Sequence, residues 1–172
     1  MIISVEETKQ YLKTDKADKV LEGMLQALEL AIRSYTNNNF QKQGIRTRCP
    51  VMAQKLYTNY PLFTVGDTLE ISRSIYNDGI YTVKAVEDGF LLLDKLLIDE
   101  NEVLVTKVEY PEDVKMGVVN MIKWDLKKKV GVQSETISRH SVTYFNMDGD
   151  NSTIGYPKSL LGFLKHYKRP RF

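Results

Sequence analysis

The chain has 172 residues, 42% of them hydrophobic and 27% charged, with a formal net charge of +2. That is the composition of an ordinary globular protein with a sizeable core, one domain or one domain with an insertion. A charge of this size is too small to imply nucleic-acid binding by field alone, and the lone Cys49 excludes an internal disulfide or a multi-cysteine metal site.

A single cysteine fits a reducing compartment. The opening MIISVEETKQ lacks the basic region and long apolar run of a signal peptide. No apolar run is long enough to predict a membrane span.

In chain order, Ser4-Val5-Glu6-Glu7 is a capping box. The Ser4 hydroxyl accepts from the N–H of Glu7, and the Glu7 carboxylate reaches back to the N–H of Ser4. A short helix is expected from there to Leu12, with Thr14 and Asp15 offering fresh caps. A second helix is predicted over 17–36. Val20, Leu21, Met24, Leu25, Leu28, Ala31, Ile32 and Tyr35 recur there at three- and four-residue spacing. Asn37-Asn38-Asn39 ends it, because Asn tolerates the left-handed conformation of helix stops.

Residues 40–60 show no clear period and read as an irregular connection punctuated by Pro50 and Pro61. From Val65 the period changes to two. Thr68 to Ser72 alternate like a half-buried strand, Asn77-Asp78-Gly79 suits a tight turn, and Ile80 to Val86 is a β-prone return strand. Asp88-Gly89 marks the next turn, Phe90 to Leu93 the next strand, and Val103 to Tyr110 a fourth. The expectation is a small antiparallel β unit over 64–110, inserted between helical regions.

Pro111 to Lys129 predicts a central helix. Pro, Glu and Asp open it, and lysines followed by Gly131 close it. Its apolar residues sweep roughly 220°, far wider than the 100° a surface helix needs. Such a helix needs covering on two sides. Val119, Trp124 and Leu126 are therefore candidates for a subunit interface. The fold class expected is α+β: a mainly helical core of short, long and central helices, the β insertion and an extended C-terminal segment. Residues 4–36 and 111–129 are expected to form that core within one domain, 1–172.

Beyond Gly131, Gln133 to Arg139 is polar and expected to be mobile. Ser141 to Phe145 suggests a short strand, and Asn146 to Thr153 a loop. Ile154 to Phe172 pairs an apolar helical patch with a basic end. Residues 132–172 thus form a C-terminal arm. Tyr156, Leu160, Leu161, Phe163 and Leu164 supply its patch, with Arg169, Arg171 and Phe172 as further interface anchors.

The candidate chemistry is thin. Asn146, Asp148, Asp150 and Ser152 alternate like calcium-loop ligands, but Asn151 and Pro157 stand where that loop needs Gly and Glu. His140 and His166 lack partners at metal or triad spacing. Arg46 and Arg48 near Cys49 favour a thiolate, yet no base sits at a recognisable spacing. Nothing in the sequence argues for an enzyme, a metal or a cofactor. The basic C-terminus with its aromatics keeps a nucleic-acid-binding reading open, together with the β unit.

The opening VEETKQYLKTDKADKVLEGMLQALELAIRSYTNNNF and the finish IGYPKSLLGFLKHYKRPRF together resemble the head–tail connector, or adaptor, proteins of tailed bacteriophages. The stretch around Tyr76-Asn77-Asp78-Gly79-Ile80-Tyr81 is similar to the β insertion of some relatives, although this unit is longer than in the smaller members. The resemblance implies a homo-oligomeric ring of about twelve subunits on the portal protein. Such a ring is assembled in the host cytoplasm and sits in the virion neck. It carries a stopper or tail-completion protein, and DNA passes through its channel. No membrane is implied. The arm would then dock on a neighbouring virion protein.

Overall fold

The structure, a computed structural model, describes residues 1–127, 134–137, 140–143 and 151–170. The chain divides into two compact units. One comprises Asn39–Tyr110 with Met1, and the other Ile2–Asn38 with Pro111–Phe172.

The first unit is a closed antiparallel barrel of six strands: β1 (Gln41–Met52), β2 (Lys55–Leu56), β3 (Thr68–Ser72), β4 (Gly79–Glu87), β5 (Phe90–Leu93) and β6 (Glu100–Val108). The order is β1-β2-β5-β4-β3-β6, and β6 returns to pair with β1. Closure removes the exposed sheet edges that would otherwise invite further pairing. Side chains fill the interior. Leu69, Ile71, Val83, Leu91, Val103 and Val105 are at most 2% exposed. A six-stranded barrel is narrow enough for its own side chains to occupy it.

This overturns the expectation of a mainly helical core with a small β insertion. The domain is rich in sheet, and the barrel begins at Gln41 rather than near residue 64. The irregular connection expected over 40–60 contains β1 and β2. β1 hides its period for a physical reason. Its pairing with β6 shifts register between Gln41 and Arg46 and again between Cys49 and Val51. Each irregularity breaks the inside–outside alternation that marks a strand. Pro50 lies within the second shift, where a strand tolerates a residue lacking an N–H donor. The expected tight turn at 77–79 is instead a longer loop in which Arg73 takes the positive φ of 59°. Gly89, at φ 86°, makes the β4–β5 turn as expected.

The second unit holds α1 (Val5–Tyr11), α2 (Asp18–Thr36) and α3 (Glu112–Lys127). Ser4 caps α1, accepting from the Glu7 N–H at 3.0 Å. Asn37 ends α2 in the left-handed conformation, φ 50°. Ala17 precedes α2 and supplies no side-chain cap, so the caps expected from Thr14 and Asp15 do not serve that helix. The polar stretch expected to be mobile includes a strand. β7 (Ser134–Ile137) pairs with β8 (His140–Thr143). A two-residue ladder follows, β9 (Ser152–Thr153) with β10 (Tyr156–Pro157), and then a 3-10 helix over Gly162–Tyr167.

α2 packs against α1, α3 and this 3-10 helix, which also packs on α3. Leu161 and Leu164 are 2% and 0% exposed. The Phe163 ring lies against Gly117 of α3 so closely that a Cβ there would meet ring carbons at 2.1–2.4 Å. The wide apolar arc of α3 therefore finds two covers, α2 and the 3-10 helix, within the same chain.

Gly117→Ala is accordingly a strong perturbation of a helix position that would otherwise favour Ala. Overpacking of this kind costs roughly 1–3 kcal/mol, more than the roughly 1 kcal/mol of helix propensity gained. We expect a lower melting temperature for Gly117→Ala, with part of the loss recovered when Phe163→Leu is added. An unchanged or raised melting temperature for the single variant would rule out the Phe163–Gly117 contact.

Candidate interaction surface

Tyr156, Leu161 and Leu164 are buried in the helical unit, and Leu160 and Phe163 are partly buried. Arg169 is exposed; Arg171 and Phe172 lie outside the described residues. The C-terminal segment is therefore no free arm. The Tyr156 hydroxyl donates to Asp125, and the Tyr167 hydroxyl donates to Asp113 at 2.8 Å. Burial first, and then the adjoining Asp, raise both tyrosines above the ordinary phenol range. The segment's backbone is tied as well. The Arg169 N–H donates to Thr36 O at 2.8 Å, and the side-chain amides of Asn37 and Asn38 donate to Pro170 O and Tyr167 O.

On α3, Val119 is completely buried, which removes it from any subunit interface in this state. Trp124 and Leu126 are half-buried. The asparagine- and aspartate-rich stretch 146–150 lies outside the described residues, as do the side chain and surroundings of His140. His166 is exposed. Among the described residues no group of three or more His, Cys, Asp or Glu is placed to hold a metal ion. No helix among them is long and apolar enough to cross a membrane.

Cys49 faces the barrel core at 4% exposure, and burial pushes its thiol up to about 12. Arg46 and Arg48 do not offset this. Strand alternation puts them on the opposite face, where Arg46 donates to Thr106 and Arg48 pairs with Glu102. A protonated, buried thiol is not a nucleophile.

Comparison with known proteins finds neither a family model nor a curated protein that matches this chain.

The surface most out of keeping with an isolated barrel is one the sequence did not single out. The β3–β4 loop carries Ile75 and Tyr76, 78% and 64% exposed. The β5–β6 loop carries Leu96 and Ile98, 80% and 56% exposed. Asn77 joins the two loops. Its Nδ2 donates to Ile98 O, and its Oδ1 accepts from the Ile98 N–H, both at 2.8 Å. Asn77 is only 2% exposed, and its carbonyl accepts from the Tyr81 hydroxyl at 2.9 Å.

Glu100 adds a second clamp. Its carboxylate accepts from the Ser74 hydroxyl, from the Ile75 N–H at 2.8 Å and from Asn77 Nδ2 at 3.1 Å. These bonds, that from Ser74 foremost, hold the Glu100 carboxyl below the usual carboxylate range. The polar network thus fixes two loops whose outward side chains are large and apolar. Exposed apolar side chains gathered in one place mark contact surfaces, whereas single ones are ordinary. The signal available in the sequence was the density of Ile, Tyr and Leu in two loops where polar residues are expected.

Asn77→Ala removes both bonds to Ile98. Leaving such groups unsatisfied costs roughly 1–3 kcal/mol. We expect a lower melting temperature and faster hydrogen exchange at the Ile98 amide. Glu100 sharpens the expectation in acid. Its carboxyl is depressed in the fold, so its contribution is present above the ordinary value of 4.5 and fades as pH falls through the depressed one. Protection at the Ile75 amide should fade with it. Exchange at both amides that ignores Asn77→Ala and acidification would show that the loops are not clamped in this way.

Proposed function

We propose that the protein is a structural component of the tailed-bacteriophage neck, a head–tail connector. It assembles as a ring of about twelve subunits on the portal at the capsid vertex. There it carries a stopper or tail-completion protein, and DNA passes through the ring. The observation that supports this reading most is the pairing of the chain's two ends. The opening and closing stretches that resemble the connector family fold together as one unit. The ties between Thr36, Asn37 and Asn38 and residues 167–170 hold them. In sequence the barrel falls between those two stretches, and its exposed loop platform suits a protein that works through contact surfaces.

Charge disfavours nucleic-acid binding through the β unit. Residues 39–110 carry ten carboxylates against eight Lys and Arg, a formal −2. Gripping phosphates needs the opposite sign, whereas a channel that lets DNA slide does not.

The test uses DNA-filled heads of the encoding phage, made without this gene. We expect such heads to remain separate from finished tails until the purified protein is added. Negative-stain images should then show a ring at the portal vertex. Steeply salt-dependent DNA affinity combined with no binding to portal-bearing heads would overturn the connector reading in favour of a nucleic-acid-binding protein.

A further inference from the structure

We propose that the outer edge of β1 is a docking strip for an extended segment of a partner protein, one in which acidic and apolar residues alternate. The docking concerns the barrel unit alone and does not depend on the connector setting.

Barrel closure leaves one stretch of β1 short of a neighbour. β1 has twelve residues and β2 only two. On one side β1 pairs with β6. On the other it meets β2 only at Val51 and Met52, and the Tyr57 N–H donates to Pro50 O at 3.0 Å. Backbone groups of an antiparallel strand turn alternately to one side and the other. Pro50 O faces the β2 side, so the N–H and C=O of Arg48 and Arg46 face it too. The far end of the β1–β6 pairing gives the same phase. The Glu109 N–H donates to Phe40 O, which turns Lys107 and Val105 toward β1 and Thr106 toward β3. Thr106 is the partner of Arg46, and residues paired in that way turn away from each other. Apart from a long contact of 3.5 Å from the Thr47 hydroxyl to Arg48 O, nothing among the described residues bonds these groups on the open side. Gln43, Gly44, Arg46 and Arg48 are exposed.

The strip thus offers donors and acceptors together at two-residue spacing, which another extended backbone matches. Phosphate only accepts, so it cannot use the two carbonyls. The side chains then set the sequence of the guest. Cys49 and Val51 lie in the barrel core and Ile45 packs against it, so guest residues beside Ile45 and Thr47 are apolar. Arg46 points outward and donates only to Thr106 Oγ1 at 3.1 Å and Gln41 Oε1 at 3.4 Å, both neutral. Glu102 and Glu109 of β6 meet Arg48 and Lys42, so Arg46 is the cation of β1 without a carboxylate partner. Residues 39–66 hold Lys42, Arg46, Arg48 and Lys55 and no Asp or Glu. Glu87 and Asp88 belong to the β4–β5 hairpin, which does not pair with β1. A guest carboxylate beside Arg46 completes a cross-strand pair of opposite charge. A second copy of β1 would instead set arginines against arginines, which disfavours it.

The test follows amide hydrogen exchange by NMR in the full-length protein. The Arg46 and Arg48 amides should exchange freely, and those of Thr47 and Cys49 slowly. An end-capped hexapeptide alternating valine and glutamate should slow the first two. The same peptide with lysine for glutamate should bind about fivefold less well, as for an exposed ion pair, and Arg46→Gln should erase that difference. Proline is tolerated where the N–H faces an open edge and not where it bonds a neighbouring strand. Arg48→Pro should therefore keep the melting temperature and weaken the glutamate peptide about tenfold, the worth of one hydrogen bond. Thr47→Pro should lower the melting temperature by many degrees.

Slow exchange at Arg46 and Arg48 without peptide, or equal losses of stability from the two proline variants, would show the edge already covered and overturn the proposal. Equal binding of the two peptides would overturn it as well. So would oligothymidylate that slows these amides where the glutamate peptide does not, since the strip would then serve nucleic acid. Protection that rises with protein concentration alone would make a second copy the guest and overturn it too.

Discussion

The contact on which the helical unit depends is that of the Phe163 ring with the backbone of Gly117. A helix with an apolar arc as wide as that of α3 must be covered on two sides. α2 takes one, and the 3-10 helix of the C-terminal segment takes another. Only glycine lets a ring approach this closely, because any Cβ would stand inside it. Leu161 and Leu164 enter the core on the same segment. The Asn37 and Asn38 amides then hold its end by hydrogen bonds to two of its carbonyls. Chain ends far apart in sequence become one unit, and everything between Asn39 and Tyr110 is free to form a second.

That second unit solves a different problem. A closed barrel satisfies its own backbone, so its loops are released from structural duty. Two of them nevertheless hold a fixed shape, because Asn77 and Glu100 satisfy their backbone groups from within. Buried polar networks specify one arrangement when every member is satisfied. The apolar side chains the loops carry are thereby held outward at a standing cost of hydration. A partner surface repays that cost, and the ordering entropy that weakens flexible binding segments is already met.

Much of this was legible in the sequence, and the exceptions have physical causes. The Ser4 cap and the Asn37 stop follow from local chemistry and stand where the residues predict; of the α2 stripe, Leu21, Leu25, Leu28 and Ile32 are buried, whereas Val20 is 48% exposed. β3 and β4 announced themselves by alternation and β-branched content, and β5 by the Asp88-Gly89 turn that precedes its apolar run. β1 did not, because two register shifts and Pro50 scramble its phase. With β1 hidden, the barrel read as a small insertion and the helices as the whole core. The C-terminal patch was legible as apolar. Its destination was not, since an apolar patch after a polar stretch looks the same whether it docks elsewhere or folds back. Gly117 held the clue, as a glycine in the middle of an otherwise strong helix. The platform was hidden because Asn77 looks like a turn residue, and only the fold brings it to Ile98.

The helical unit depends on closure by its C-terminal segment, and truncation after Thr153 measures that most directly. The cut removes Phe163, Leu161 and Leu164, each worth about 1.5–3 kcal/mol of burial. Domain stabilities are only about 5–15 kcal/mol in total. We therefore expect thermal unfolding, followed by helical circular dichroism, to move down by many degrees or to disappear, while the β signal of the barrel persists. A truncated protein whose helical transition stays at the full-length melting temperature would show that the segment is a free arm, and would contradict the account.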